Sequence, residues 1–212
     1  MVDLYSSVQY VADNIKSRIA ILYSTGEDSS VLFHVMLKYF SKDQIVPVFL
    51  YSCKELSYKN NFIKEIEKLY GINIEYHLDY NVSDLLRREG YKVKKISYGT
   101  MLQSIRQEYD CEYVAIGWVK GESMGRACAM KTYNNGIDWR DKKLFPLHEW
   151  NKKDIRTYIK RNKISLAPEC YCGFRNIDIF SGKTLLWLKH SHPEDYKAWV
   201  KTYPMSEAEF CE

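Results

Sequence analysis

Residues 24–30 of the chain read Ser-Thr-Gly-Glu-Asp-Ser-Ser, a stretch of hydroxyl and acidic side chains around one glycine. The apolar run 18–23 precedes it, and an amphipathic stretch from Val31 to Tyr39 follows at once. This order predicts a strand, a tight turn and a helix. Such a turn offers backbone N–H groups and the positive end of a helix dipole to an anion. Hydroxyl donors for a phosphate are available from Ser24, Thr25, Ser29 and Ser30.

The two acids of this turn, Glu27 and Asp28, would repel a bare phosphate. They favour either a Mg²⁺ ion bridging Asp28 to the phosphates or Asp28 as the N-cap of the helix. The pattern is not G-x-x-x-x-G-K-[ST], because no lysine precedes the last serines, and it is not G-x-G-x-x-G. From the residues alone, a capped turn and a phosphate site are equally good interpretations.

Apolar runs typical of β-strands alternate with helical patterns along the first two thirds of the chain. This alternation predicts parallel strands with right-handed crossovers, and ligands then bind at the carboxyl ends of the strands. We therefore expect an α/β fold, a doubly wound parallel sheet of Rossmann-like type in residues 1–143. A helical C-terminal region, residues 144–212, is expected to pack on the same domain. The candidate strands are Ile19–Ser24, Ile45–Tyr51, Ile72–His77 and Tyr113–Gly117.

The composition is that of an ordinary globular protein: 212 residues, 46% hydrophobic and 27% charged, with a net charge of +4. No stretch approaches the roughly 18 apolar residues of a membrane span, and no signal peptide is recognisable, so we expect a cytoplasmic protein. The six cysteines are scattered, which favours free thiols in a reducing compartment. Cys170 and Cys172 are spaced C-x-C, one residue short of the usual half of a zinc or redox site.

The stretch STGEDSS resembles the S-G-G-x-D-S pyrophosphate loop of the adenine nucleotide alpha-hydrolase superfamily, also called PP-loop ATP pyrophosphatases. Ser24, Gly26, Asp28 and Ser29 match that loop. Thr25 replaces its first glycine. We expect residue 25 to avoid positive φ, which glycine tolerates and threonine does not.

Further stretches resemble phosphoadenosine phosphosulfate (PAPS) reductase-like proteins of that superfamily. Residues 46–77 resemble their second strand, helix and third strand, although the strand ends at Tyr51 without the usual aspartate. AIGWVKGESMGRA resembles their G-x-R-x-x-E-S-x-x-R segment, with Trp118 and Val119 in the region of the first arginine. Residues 146–162, PLHEWNKKDIRTYIKRN, resemble a third segment that begins P-L-x-x-W-x-x-x-D.

The resemblance implies an adenine-nucleotide-binding enzyme that acts at the alpha phosphate of ATP or PAPS. It would release pyrophosphate while activating an unknown acceptor. Asp28, Glu122 and Arg126 would be the catalytic residues, with Mg²⁺ at Asp28, and Glu122 would orient Arg126 or hold the metal. Contacts to the nucleotide are expected from Ser24, Thr25, Gly26, Glu27, Asp28, Ser29, Ser30, Tyr51, Gly117, Ser123 and Arg126.

Two alternatives stay open. The first is a thiol-dependent PAPS or adenosine phosphosulfate reductase that would use Cys211 and thioredoxin. No iron–sulfur cluster is expected, because the family's G-C-x-x-C-P cysteines are missing here. The second is a non-catalytic nucleotide-binding subunit, encoded by a phage or mobile element, with a ParB-like partner. The basic stretch 87–95 is a solvated face or a polyanion contact, and the modest net charge does not support nucleic-acid binding.

Overall fold

The structure is a computed structural model that describes residues 5–121, 125, 128, 131–133, 135–172 and 182–206. The chain divides into two compact units, each assembled from separate stretches of sequence. The first unit comprises residues 1–49, 73–75 and 102–166, and the second comprises residues 50–72, 76–101 and 167–212. The predicted division into an α/β domain up to residue 143 and a helical region from residue 144 stays a prediction.

The described ranges contain eight α-helices and six strands. The strands are β1 Ile19–Tyr23, β2 Ile45–Tyr51, β3 Glu75–Leu78, β4 Tyr113–Ala115, β5 Ile137–Asp138 and β6 Lys143–Leu144. The helices are α1 Ser6–Asn14, α2 Glu27–Tyr39, α3 Ser57–Tyr70, α4 Val82–Arg88, α5 Tyr98–Glu108, α6 Lys152–Asn162, α7 Gly182–Ser191 and α8 Pro193–Thr202. Within these ranges, every helix is too short or too polar to cross a membrane.

The strands form one sheet in the order β3-β2-β1-β4-β6-β5. Strand β1 pairs in parallel with β2 on one side and with β4 on the other, and β6 continues in parallel beside β4. The chain thus winds outward from β1 in both directions, which confirms the predicted α/β fold with a mostly parallel, doubly wound sheet. The crevice at the carboxyl ends of β1 and β4 is the topological switch point where such sheets bind ligands.

The core of the first unit surrounds β1, all five residues of which are buried. Helix α2 packs on this strand through a buried face that includes Val31, Phe33 and Met36. The ring of Phe33 lies 5.4 Å from that of Tyr23 at the end of β1. These apolar contacts hold the N-terminus of α2 directly after β1, so the loop between the two elements has little freedom.

The core of the second unit joins α3 to α7 and α8. Its buried members are Cys53, Leu56, Tyr58, Leu185, Leu188, Tyr196, Trp199 and Tyr203. Helix α3 is capped by the side chain of a distant residue: the buried carboxylate of Asp195 accepts hydrogen bonds from the amides of Ser57 (2.8 Å) and Tyr58 (3.0 Å). Two amides that begin a helix are thereby satisfied by a side chain of α8.

Most expected elements are present, with shifted ends. The predicted second strand has the observed bounds, whereas the third begins at Glu75 instead of Ile72. Gly71 ends α3 in the left-handed conformation, at φ 60°, as expected for a glycine C-cap. The helical C-terminal region contains α7 and α8, which are separated at His192, and Pro193 begins the second of them. Strand β5, antiparallel to β6, was not predicted, because two residues carry no readable periodicity.

Candidate functional site

The loop after β1 turns through a left-handed residue. Thr25 has φ 65° and is completely buried, so the expectation that it avoids positive φ is wrong. A β-branched residue is a genuine outlier in this region, because its Cβ is crowded by the backbone. The loop therefore has at residue 25 a backbone conformation that glycine adopts readily, although a threonine occupies the position. Strained backbone of this kind is concentrated at binding and catalytic sites.

Helix α2 begins at a residue that has no side chain to cap it. Gly26 is the N-cap, in an extended conformation (φ −80°, ψ 172°), and as a glycine it offers no capping side chain. Asp28 lies in the first turn instead, so its predicted role as the N-cap is wrong. The amide of Ser30 already donates to the carbonyl of Gly26 at 2.9 Å. The N–H groups that precede it in a helix have no acceptor within the helix, and with the helix dipole they suit an anion.

The hydroxyl groups of the loop stabilise its shape. The Oγ of Ser29 donates to the carbonyl of Gly26 (3.1 Å) and accepts from the amide of Ser24 (3.2 Å). The Oγ atoms of Ser24 and Ser29 are 3.0 Å apart. Since the hydrogen of Ser29 is directed to Gly26, Ser24 is the donor in this last bond. In this arrangement, the hydrogens of these two hydroxyls are used within the loop.

Ser30 differs from the other serines of the loop. Its side chain is buried, with 4% exposure, and within the described parts of the chain its Oγ has no hydrogen-bond partner. Burying a hydroxyl without a partner costs free energy, so such a group calls for an explanation. A ligand oxygen is one partner that would satisfy it.

Gly117 lies against the first turn of α2, where the chain leaves β4. A Cβ atom added to Gly117 would be 3.3 Å from the carbonyl carbon and oxygen of Asp28 and 3.4 Å from the amide nitrogen of Ser29. Any side chain here would crowd the backbone that begins α2. The structure therefore brings together two predicted site segments, the loop after β1 and the glycine after β4, at the switch point of the sheet.

The two acids of the loop are paired with basic residues of α6. The ammonium group of Lys152 contacts Oδ2 of Asp28, and Nε of Arg156 is 3.9 Å from Oε1 of Glu27. Sequence reasoning missed both basic residues. They are four residues apart at the start of a helix, a spacing so common on exposed helix faces that it does not identify a partner. These ion pairs offset the negative charge that made the loop a poor phosphate site.

Trp118 stacks on Phe145 in the first unit, with ring centroids 5.0 Å apart and an interplanar angle of 29°. Phe145 also stacks with Tyr133, at 5.2 Å and 6°. Packing is thus one role of this tryptophan. Tyr51 ends β2 and belongs to the second unit, where its ring lies 6.5 Å from that of Tyr76.

Several predicted residues lie outside the described residues. They are Glu122, Ser123, Arg126 and Cys211. In the described parts of the chain, no three His, Cys, Asp or Glu residues are grouped closely enough to hold a metal ion. The expected roles of these residues, and the expected absence of an iron–sulfur cluster, stay predictions.

His34 connects α2 to α6 beneath the site. Its Nδ1 is 3.0 Å from the hydroxyl of Tyr158, and the two rings meet edge to face. Burial lowers the pKa of His34 below its ordinary value, and the nearby charge of Lys38 lowers the pKa further. The imidazole is therefore held in its neutral form, which suits its place between two packed helices.

Comparison with known proteins identifies the family and the fold of the chain. A family model described as the phosphoadenosine phosphosulfate reductase domain matches residues 18–183, which include the loop, Gly117 and α6. No curated protein matches the chain. Solved structures resemble it in fold.

PAPS reductase from Candida auris, in a phosphate complex, has a TM-score of 0.56 at 11% identity, over 82% of this chain and 86% of that one. FMN adenylyltransferase from Candida glabrata, in complex with ATP, has a TM-score of 0.57 at 15% identity, over 82% of this chain and 59% of that one. The U34-tRNA thiolase NcsA from Methanococcus maripaludis, with its [4Fe-4S] cluster, has a TM-score of 0.50 at 15% identity, over 91% of this chain and 72% of that one. Because the family model matches well over half of the chain, the protein belongs to the phosphoadenosine phosphosulfate reductase domain family, within the adenine nucleotide alpha-hydrolase superfamily.

Proposed function

We propose that the chain is an adenine-nucleotide-binding enzyme that holds the phosphates of ATP or PAPS on residues 24–30 and acts at the alpha phosphate. The observation that carries this proposal is the left-handed Thr25, followed by the N-terminus of α2, whose N-cap Gly26 has no side chain to cap the helix. The first N–H groups of a helix have no acceptor within the helix, and here they follow β1 at the switch point of the sheet. The family membership and the ATP and phosphate complexes of two structural neighbours support the choice of ligand.

With ATP, the reaction is the displacement of pyrophosphate. A nucleophilic acceptor attacks the alpha phosphorus, the bond to the bridging oxygen of the beta phosphate breaks, and pyrophosphate leaves with the electron pair. Negative charge develops on the oxygens around the alpha phosphorus. The oriented amides of the first turn of α2 would stabilise that charge, and they need no reorganisation because the serine network already holds the loop.

A Mg²⁺ ion fits the loop through Asp28. Magnesium is usually held by one or two carboxylates together with substrate phosphates and water, so the single carboxylate of Asp28 is sufficient. When bound, the ion would supply charge neutralisation to the phosphate chain. In the structure the same carboxylate contacts Lys152, so this pair must rearrange when the metal binds.

Two measurements test the proposal. Millimolar ATP or PAPS should raise the melting temperature of the protein, since a ligand that binds only the folded state stabilises it. ATP and Mg²⁺ with a cell extract that supplies the acceptor should release pyrophosphate above the level of the extract alone. If neither nucleotide raises the melting temperature, the proposal is wrong. If the nucleotides bind and no pyrophosphate appears, the chain is a nucleotide-binding subunit or a reductase.

The family match also favours a second candidate, a thiol-dependent sulfonucleotide reductase. In that reaction the thiolate of Cys211 would attack the sulfur of PAPS, displacing adenosine 3′,5′-bisphosphate, and thioredoxin would then release sulfite by reducing the thiosulfonate. Sulfite production from PAPS and reduced thioredoxin by the wild-type protein, together with its loss in Cys211→Ser, would establish this candidate. Sulfite production that persists in Cys211→Ser would exclude Cys211 as the nucleophile.

A further inference from the structure

Lys152 is the first residue of α6, and its ammonium group lies against the first turn of α2 through its contact with Asp28. The two residues are 124 positions apart in the sequence. The side chain of Lys152 is 46% exposed and that of Asp28 is 20% exposed. A basic group is thus present, and reachable from solvent, at the N-terminus of the helix that would bind phosphate.

The backbone of Lys152 is held firmly. Asn151 caps α6, accepting from the amides of Lys153 (2.8 Å) and Asp154 (3.2 Å), and its own amide donates to Asp154 at 2.9 Å. Just before this cap, the buried Trp150 accepts a 2.7 Å hydrogen bond from the amide of Lys120 through its carbonyl. The hydrogen-bonded start of α6 therefore positions the backbone of Lys152 beside α2. A change in the position of the ammonium group requires only a change in the conformation of the lysine side chain.

The side chain of Lys152 is 46% exposed, so water screens its ion pair with Asp28 and can solvate the ammonium group when it leaves that partner. A phosphate oxygen is a strong acceptor for an ammonium group, and lysine is a common phosphate ligand that acts as a point charge. The loop itself contains no lysine and carries two acids. A nucleotide bound there lacks a basic partner unless a distant segment supplies one.

We propose that Lys152 is the phosphate-binding lysine of this site. Asp28 holds its ammonium group beside the loop before the nucleotide arrives, and the ammonium group then donates to the phosphate chain of the bound nucleotide. This inference rests on the proposed function and deepens it. It assigns the site to nucleotides with several phosphates, because the attraction between one lysine and the bound phosphates grows with the negative charge of those phosphates.

The test compares Lys152→Gln with Lys153→Gln, which removes the same charge one residue along the helix. Lys153 is exposed, and in the described part of the chain its side chain makes no ion pair. Calorimetric titration measures the dissociation constants of AMP, ADP and ATP for each variant. We expect Lys152→Gln to weaken the binding of ATP about tenfold, as for the loss of one charge-assisted hydrogen bond. The binding of ADP should weaken less, and that of AMP least. Lys152→Arg should retain most of the affinity, and Lys153→Gln should bind all three as the wild type does.

A merely structural role predicts a different pattern, in which Lys152→Gln weakens all three nucleotides by the same factor. That result, or an equal loss in Lys153→Gln, would overturn the inference. Unchanged ATP affinity in Lys152→Gln would also overturn it while leaving the proposed function intact. If the wild type binds none of the three nucleotides or PAPS, the proposed function fails and the inference fails with it. A melting temperature of unliganded Lys152→Gln within about 2 °C of wild type would establish that the variant is folded.

Discussion

The ammonium group of Lys152 contacts the carboxylate of Asp28, across 124 positions of sequence, at the N-terminus of α2. This contact changes the electrostatics of a loop that, read by itself, carries two acids and no basic residue. Together with the pair between Arg156 and Glu27, it gives the first turn of α2 a nearly balanced charge. Two helices that pack on each other thus bring these four charged side chains together.

Replacement of Gly117 by alanine should damage this site. The new Cβ would lie 3.3 Å from the backbone of Asp28, closer than packing normally allows, and overpacking of this kind costs about 1–3 kcal/mol. We expect a melting temperature several degrees lower and weaker ATP binding. Gly99→Ala is the matched control, because its Cβ would meet nothing closer than Ser97 Oγ at 3.9 Å. A Gly117→Ala protein that melts and binds as the wild type does would contradict the close approach.

The left-handed conformation of Thr25 predicts an unusual order of stability. Both Thr25→Gly and Thr25→Ala remove the same buried methyl and hydroxyl groups, but only alanine retains a Cβ at φ 65°. That Cβ costs about 1 kcal/mol in the left-handed region, so the glycine variant should be the more stable of the two by about this amount. Urea denaturation of both variants measures the difference. If the alanine variant is as stable or more stable, residue 25 is not left-handed in solution.

Substitution of Asp28 by asparagine distinguishes two effects of its carboxylate on ATP affinity, repulsion of the phosphates and binding of Mg²⁺. Without Mg²⁺, the variant should bind ATP about threefold more tightly, because one negative charge beside the phosphates is gone. With Mg²⁺, it should lose most of the enhancement that the metal gives the wild type. Glu27→Gln removes the neighbouring charge and should keep the metal effect. Titrations with EDTA and with excess Mg²⁺ measure both quantities, and an undiminished Mg²⁺ effect in Asp28→Asn would exclude this residue as the metal ligand.

Acid should weaken the packing of α2 on α6 through His34. Because the pKa of His34 is lowered in the folded protein, the unfolded chain takes up a proton first as the pH falls below the ordinary value of 6.5. The contribution of neutral His34 to stability is therefore complete above pH 6.5 and is lost as the pH falls from there toward the lowered pKa. His34→Gln should reduce the dependence of the unfolding free energy on pH in this range.

The measurement is the urea midpoint at pH 7.5 and at pH 5.5. His190→Gln serves as the control, since His190 is exposed, and its profile should match that of the wild type. If wild type and His34→Gln lose the same stability between the two pH values, the acid sensitivity arises from other groups.

The sequence by itself determined the elements and their order. Apolar runs of five to seven residues alternating with amphipathic helices specify parallel strands with crossovers, because each run can bury its side chains only inside a sheet covered by helices. The ordered motifs around the loop, Gly117 and the segment at Trp150 likewise favour a nucleotide site through their resemblance to the family. These features depend on residues close together in the sequence, so they can be predicted from a single sequence.

Only the tertiary structure decided the conformation and the charge of the loop. The left-handed Thr25 contradicts the preference of its residue type, since packing of α2 on β1 imposes a backbone that the threonine alone would not choose. The N-cap falls on Gly26 rather than Asp28 for the same reason. The pairing of Lys152 with Asp28 depends on where α6 packs beside α2, and no spacing in the sequence encodes a contact between residues so far apart. The chemistry of the site thus follows from helix packing, which only the folded chain specifies.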